Sequence, residues 1–242
     1  MRIRHGRIAL ELHVLAQRQD PALLLLHGLG GCSRDWHPLA DAWPGSLYAL
    51  DFSGHGDSQW VAGRAYDPEL LLGDADAALA AIGPTALAGV GLGAYIALLL
   101  AGARPERVPA ALLLSGPGLA GAGSVPDVGA AFPAVLISRI PAGGTERRSG
   151  GRTSPDPRVV VLDCFAHPPD YAARFACTAR RLLLLEDADP PPPWWTAVRE
   201  SAQAEVVSGD PAAALHRLWT VVSREPAEPR VDRPSRSSRH SR

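Results

Sequence analysis

The stretch "TALAGVGLGAYIALLLAGARPERV", Thr85 to Val108, carries the densest chemical signal in the chain. An apolar, strand-like run enters the glycine-rich turn Gly89-Val90-Gly91-Leu92-Gly93-Ala94, and an apolar helical segment leaves it. Between a strand and a helix, such a turn either cradles a phosphate on helix N–H groups or mounts a nucleophile. It fits the dinucleotide pattern G-x-G-x-x-G/A, which also needs a carboxylate roughly twenty residues on, at the end of the next strand, for the ribose hydroxyls. That strand, "AALLLSGPG", ends in Ser115 and Gly116. NAD and NADP are therefore not expected ligands, and no cofactor is called for.

The nucleophile reading finds its parts upstream. "LLLLHGLGGCSRDW", Leu23 to Trp36, is an apolar run entering His27-Gly28 and a glycine-rich loop, and "LYALDFSGHGDS", Leu47 to Ser58, runs into Asp51 and Gly54-His55-Gly56-Asp57-Ser58. Cys32 lies in the loop that would rim a pocket, and a thiol needs less activation than a hydroxyl. The competing reading is that Cys32 fills a small-residue position at the start of the helix "SRDWHPLADAW", and His37 serves as its base only if that helix turns it inward. Cys164, His167 and Cys177 give C-x-x-H and a distant Cys, without a fourth ligand, so no metal is expected.

The elements that must position these residues are legible as an alternation. Apolar runs of strand length occur at Ile8, Ala22, Ser46, Thr85, Pro109, Arg181 and Ala204, with helix-period segments between them. Continuous apolar strands joined by helices imply an α/β fold: a mostly parallel central sheet with helices on both faces. "YDPELLLGDADAALAAIG" shows its own ends, with Asp67 as N-cap, Pro68 in the first turn and Gly83 as the stop.

The pattern thins between residues 117 and 180, where a short cap or loop insertion is expected, with one helix around Val128 to Ile140 and a mobile loop from Ala142 to Pro157. Residues 1–222 thus form one domain. The polar stretch from about Ser223 to Arg242 is expected to be a disordered tail.

The His-Gly loop, the D-x-x-G-H-G-x-S turn, and the elbow-like turn with its helix and "ARPERV" exit occur together and in order. On these motifs the chain resembles the α/β-hydrolase family from Ile8 to about Val222, with a reduced cap. The resemblance implies a G-x-S-x-G elbow holding a strained nucleophile, and here the elbow is Gly89-Val90-Gly91-Leu92-Gly93. It also implies a triad histidine after the last strand, but Ser208-Gly209-Asp210-Pro211 follows Val207 and the nearest imidazole, His216, lies inside the next helix. Glu186, Asp187 and Asp189 offer an acid, Asp189 by family spacing. Without a histidine to orient an acid, these carboxylates are read as caps of the next helix or as solvated groups, beside Trp194 and Trp195 read as packing residues. His27 and His55 fall in the family's structural turns and are read as braces.

Composition narrows the partners. The 24 basic and 25 acidic residues leave a net charge of -1, which gives no footprint for nucleic acid. All the basic residues are Arg, which excludes lysine Schiff-base chemistry. Three irregularly spaced cysteines, no signal-peptide pattern and no apolar run of bilayer length predict a soluble cytoplasmic protein with no membrane partner.

The reading that follows is a hydrolase by descent with a degenerate triad, a pseudoenzyme binding a small acyl or carbonyl compound on the backbone N–H groups of Leu29 and Leu92. Two alternatives stay open: an active hydrolase or lyase using Cys32 or an activated water, and a protein-interaction module. The oligomeric state is not legible.

Overall fold

Leucine runs organise the molecule. A computed structural model describes residues 1–63, 65–116, 118–119, 155–164, 167–186 and 191–224. The strands are β1 (Arg2–His5), β2 (Ile8–Ala16), β3 (Leu23–Leu26), β4 (Leu47–Leu50), β5 (Ala86–Val90), β6 (Ala111–Leu114), β7 (Leu182–Leu185) and β8 (Ala204–Val207). They form one sheet of order β1-β2-β4-β3-β5-β6-β7-β8. β1 and β2 pair antiparallel, as do β2 and β4, and every other pairing is parallel.

Alternation along each strand sends consecutive side chains to opposite faces. Leu24 and Leu26 of β3 join one core with Leu87, Leu113, Leu182 and Leu184. Leu23 and Leu25 join the other with Ala86, Leu112 and Leu183. Both faces are apolar, so both must be covered. The first is covered by α1 (Pro68–Ile82), α2 (Leu92–Ala103), α3 (Pro169–Thr178) and α4 (Pro193–Arg199), and the second by a 3-10 helix, Ser33–Ala42, and α5 (Pro211–Val222). α2 is buried from Leu92 through Ala101, as its nearly unbroken apolar sequence demands.

Several expectations are met in detail. The Asp67 carboxylate accepts the Leu70 N–H at 2.7 Å as N-cap of α1, and Gly83 ends that helix at φ 103°. Others are corrected. β1 is an additional strand: its alternating Arg2-Ile3-Arg4-His5 is half exposed at the sheet edge, so no continuous apolar run announces it. The segment after Cys32 forms 3-10 turns instead of an α-helix, with Pro38 inside it lacking the N–H that an α ladder needs.

The end of the loop expected to be mobile is anchored. Asp156 is buried, its N–H donates to the Gly54 carbonyl at 2.7 Å, and its carboxylate accepts the Tyr66 hydroxyl at 3.0 Å and pairs with Arg158. The rest of that loop and the helix expected over Val128 to Ile140 lie outside the described residues. The span expected as an insertion also holds a second 3-10 helix, Pro157–Cys164, and α3, packed so closely on α2 that a Cβ on Gly102 would collide with the Phe175 backbone. At the other end, Ser223 still belongs to the α5 terminus, donating its N–H to Trp219, and residues 225–242 lie outside the description.

Candidate functional site

The turn that follows β5 is built for a single strained residue. Gly91 sits there at φ 54°, ψ −114°, buried, with its N–H donating to the Leu114 carbonyl of β6 at 3.0 Å. Side chains disfavour this backbone region, and glycine enters it at least cost. The flanking glycines are explained by contact. A Cβ on Gly89 would collide with the Gly93 carbonyl, and one on Gly93 would collide with the Leu26 and His27 carbonyls. Strand, turn and helix therefore close to backbone-to-backbone distance, the geometry of a nucleophile elbow, with hydrogen at its apex.

Leu29 and Leu92 both lie against Gly118 beside this turn. A Cβ on Gly118 would stand 3.2 Å from the Leu29 Cβ and 3.3 Å from the Leu92 backbone nitrogen. Leu92 opens α2, so its N–H belongs to the helix end that has no intrahelical acceptor and carries the positive end of the macrodipole.

The loop carrying Leu29 is fixed from beneath. His27 is fully buried; its Nε2 accepts the Phe52 N–H at 3.2 Å, which leaves Nδ1–H to donate to the Gly28 carbonyl at 2.8 Å. Burial lowers its pKa, so the ring is a neutral brace. His55 behaves likewise: Nδ1–H meets the Ser53 carbonyl at 3.2 Å, and burial, with His27 adjacent, pushes its pKa down to about 3. Asp51 is the hub of the same region. It accepts the Ser33 N–H at 2.7 Å and the Asp57 N–H at 2.9 Å, and pairs with His13 Nε2 at 3.0 Å. Burial by itself would raise its carboxyl; the N–H groups of Asp57 and Ser33, with the His13 ring beside it, outweigh burial and hold it below the usual range.

Cys32 is half-buried at the start of the 3-10 helix, its N–H donating to Asp35 at 2.8 Å. Burial and the Asp35 carboxylate push its thiol up to about 11, opposite to the shift that activates a nucleophile. His37 is exposed on that helix, which leaves Cys32 without the inward-turned base it would need.

Among the described residues the C-terminal loops supply no replacement. After β8, Asp210 is spent as N-cap of α5, accepting the Ala213 N–H at 2.8 Å, and His216 is exposed on that helix. Glu186 accepts the Trp195 indole N–H at 3.0 Å and pairs with Arg199; Trp194 and Trp195 are buried packing residues. Asp187 and Asp189 lie outside the described residues. Cys164, His167 and Cys177 form no metal cluster among the described residues, and His167 Nδ1 instead meets the Tyr95 hydroxyl at 2.8 Å.

Two polar anchors escape a reading by motif. Asp74, buried in α1, accepts the Ser53 N–H at 2.8 Å and pairs with His5 at 2.8 Å. Its signal was a carboxylate on an otherwise apolar helix face. Asp156 had no signal, because its partners, Tyr66 and Gly54, are about a hundred residues away in sequence.

An open, mainly parallel sheet with a strained glycine turn between strand and buried helix defines the hydrolase-type α/β architecture. The chain belongs to the alpha/beta hydrolase family, whose sequence profile matches residues 23–236. It is 34 % identical over 174 residues to Lipase LipV of Mycobacterium tuberculosis (strain ATCC 25618 / H37Rv). That match covers 65 % of this chain and 62 % of the lipase, so the chain spans less than two thirds of that relative's length. Among solved structures it is similar to the enol-lactonase from Burkholderia xenovorans LB400, with TM-score 0.67 and 16 % identity over 90 % of this chain and 98 % of that one. It is also similar to the thioesterase domain from the curacin biosynthetic pathway, with TM-score 0.64 and 19 % identity over 91 % and 98 % of the two chains. Among the described residues no helix is long and apolar enough to cross a membrane.

Proposed function

We propose that this α/β-hydrolase-fold protein binds a small acyl or carbonyl compound at the Leu29 and Leu92 N–H pair without hydrolysing it through a serine. The observation that carries this reading is Gly91 in the elbow conformation, at φ 54°, on a helix N-terminus whose first N–H is that of Leu92. Oriented N–H groups stabilise a carbonyl or carboxylate oxygen whether or not a nucleophile stands beside them. The names of the relatives, a lipase, an enol-lactonase and a thioesterase, share the acyl carbonyl and support that ligand class. The absence of an imidazole from Ser208 to Pro211 argues against turnover by the family's chemistry. The elevated Cys32 thiol argues against the rival nucleophile.

A thermal-shift screen of carboxylic acids, esters and acyl-CoA compounds tests this, because a ligand of the folded state raises its melting temperature by mass action. Acyl compounds that shift the melt and are recovered intact are the expected result. Turnover abolished by Cys32→Ala would replace this reading with the enzyme. A screen without hits would leave the interaction module.

A further inference from the structure

One cluster of metal-ligating side chains stands apart from the elbow. His13 Nε2, an Asp51 carboxylate oxygen and an Asp57 carboxylate oxygen lie within 4.8 Å of one another, and among the described residues no other His, Cys, Asp or Glu group does this. The three come from separate places: His13 from β2, Asp51 from the end of β4, and Asp57 from the turn beyond it. We propose that His13, Asp51 and Asp57 form a binding site for a divalent transition-metal ion of the zinc class, which staples β2 to the turn after β4.

Two of the three donors already stand close together. His13 Nε2 and Asp51 Oδ2 are 3.0 Å apart. Two bonds of about 2.0–2.2 Å at a tetrahedral angle hold their donor atoms about 3.3–3.6 Å apart, so this pair has to part by only a few tenths of an ångström. Asp51 is buried and oriented by the N–H groups of Ser33 and Asp57, the outer support that fixes a ligating carboxylate. The turn also leaves room for it: Gly56 lies at φ 50°, and a Cβ there would collide with the Asp51 carboxylate. The side chains of His13 and Asp57 are partly exposed, which gives an ion its entry path.

One imidazole nitrogen with two carboxylates is a mixed N/O set suited to zinc and its neighbours more than to calcium or magnesium. Binding needs the Nε2 lone pair, so the hydrogen bond between His13 Nε2 and Asp51 gives way to two bonds to the metal. Arg34 is the resident competitor, with its guanidinium 3.1 Å from Asp57 Oδ2. Both partners of that pair are largely exposed, so little energy holds Arg34 in place.

The test is calorimetric titration of the chelator-treated full chain with zinc chloride, alongside melting curves with and without zinc. The site predicts about one zinc ion per chain, a zinc-dependent rise in melting temperature, and affinity weakened at least tenfold or so in both His13→Ala and Asp57→Asn. Arg34→Ala should bind as tightly as the parent or more tightly. Asp57→Asn keeps the backbone N–H bond to Asp51 and guards against misreading a folding defect, and both variants should keep the parent's circular dichroism without metal. No zinc binding by the parent at millimolar metal, or undiminished binding by folded His13→Ala and Asp57→Asn, would overturn the proposal.

Discussion

Two loop regions at the same end of the sheet differ sharply in what their polar groups do. Around the end of β4, Asp51, His27, His55 and Asp74 are all fully buried, and each makes at least one hydrogen bond to the backbone of a neighbouring turn. After β8, Ser208, Gly209 and Asp210 are exposed, and the one side-chain bond shown there is a helix cap. The first region supports the loop that carries Leu29. The second is where the family's resemblance looks for an imidazole. The first set of groups braces turns from within, and the described side-chain bond of the second caps a helix.

The comparison breaks first if removing Asp51 is tolerated. Asp51→Ala strands the buried Ser33 N–H and removes the partner of His13, so the expected loss is about 3–5 kcal/mol. Urea denaturation measures it. Next in size is Gly93→Ala, whose methyl would be driven into the Leu26 and His27 carbonyls; about 3 kcal/mol is expected from such overpacking. A variant melting like its parent would show that the turn is looser than its contacts imply.

The pH dependence comes third. His55 and His27 have folded pKa values below the ordinary value of about 6.5. The unfolded chain therefore binds more protons below that pH, and stability present at pH 7 is lost as the solution is acidified. His55, whose folded pKa is about 3, contributes a loss of about 1.4 kcal/mol per pH unit below about 6.5. Asp51 adds a further loss at lower pH, as acid approaches its depressed carboxyl pKa. Denaturant midpoints between pH 7 and 5 should fall, and His55→Gln should flatten the fall. The smallest effect belongs to the exposed region: Asp210→Ala removes one N-cap and should cost about 1 kcal/mol. A cost equal to that of Asp51→Ala would erase the contrast.

What the sequence discloses follows from range. β3 to β7 were legible because a doubly covered sheet demands continuous apolar runs, and Leu23–Leu26 or Leu182–Leu185 satisfy it without a partner being known; β2 and the edge strand β8 were legible from the shorter apolar runs at Ile8 and Ala204. The elbow was legible because glycine spacing is local. β1 was hidden, since an edge strand needs only one covered side and Arg2 and Arg4 face solvent. The pairings of His13, Asp74 and Asp156 were hidden for a different reason: their side-chain partners Asp51, His5 and Tyr66 lie 38, 69 and 90 positions away, and composition carries no such pairing.

Whether the Gly91 turn can carry acyl chemistry is measured by intact-protein mass spectrometry of Gly91→Ser after exposure to a short activated ester. A hydroxyl without a neighbouring imidazole is a poor nucleophile near neutral pH. A Cβ at φ 54° should also lower stability by about 1–3 kcal/mol. The variant should fold, melt below its parent, and carry no acyl adduct. An acyl group at position 91, with burst kinetics, would contradict this expectation: a base would then be reaching the elbow, and the protein would stand one substitution from a working hydrolase.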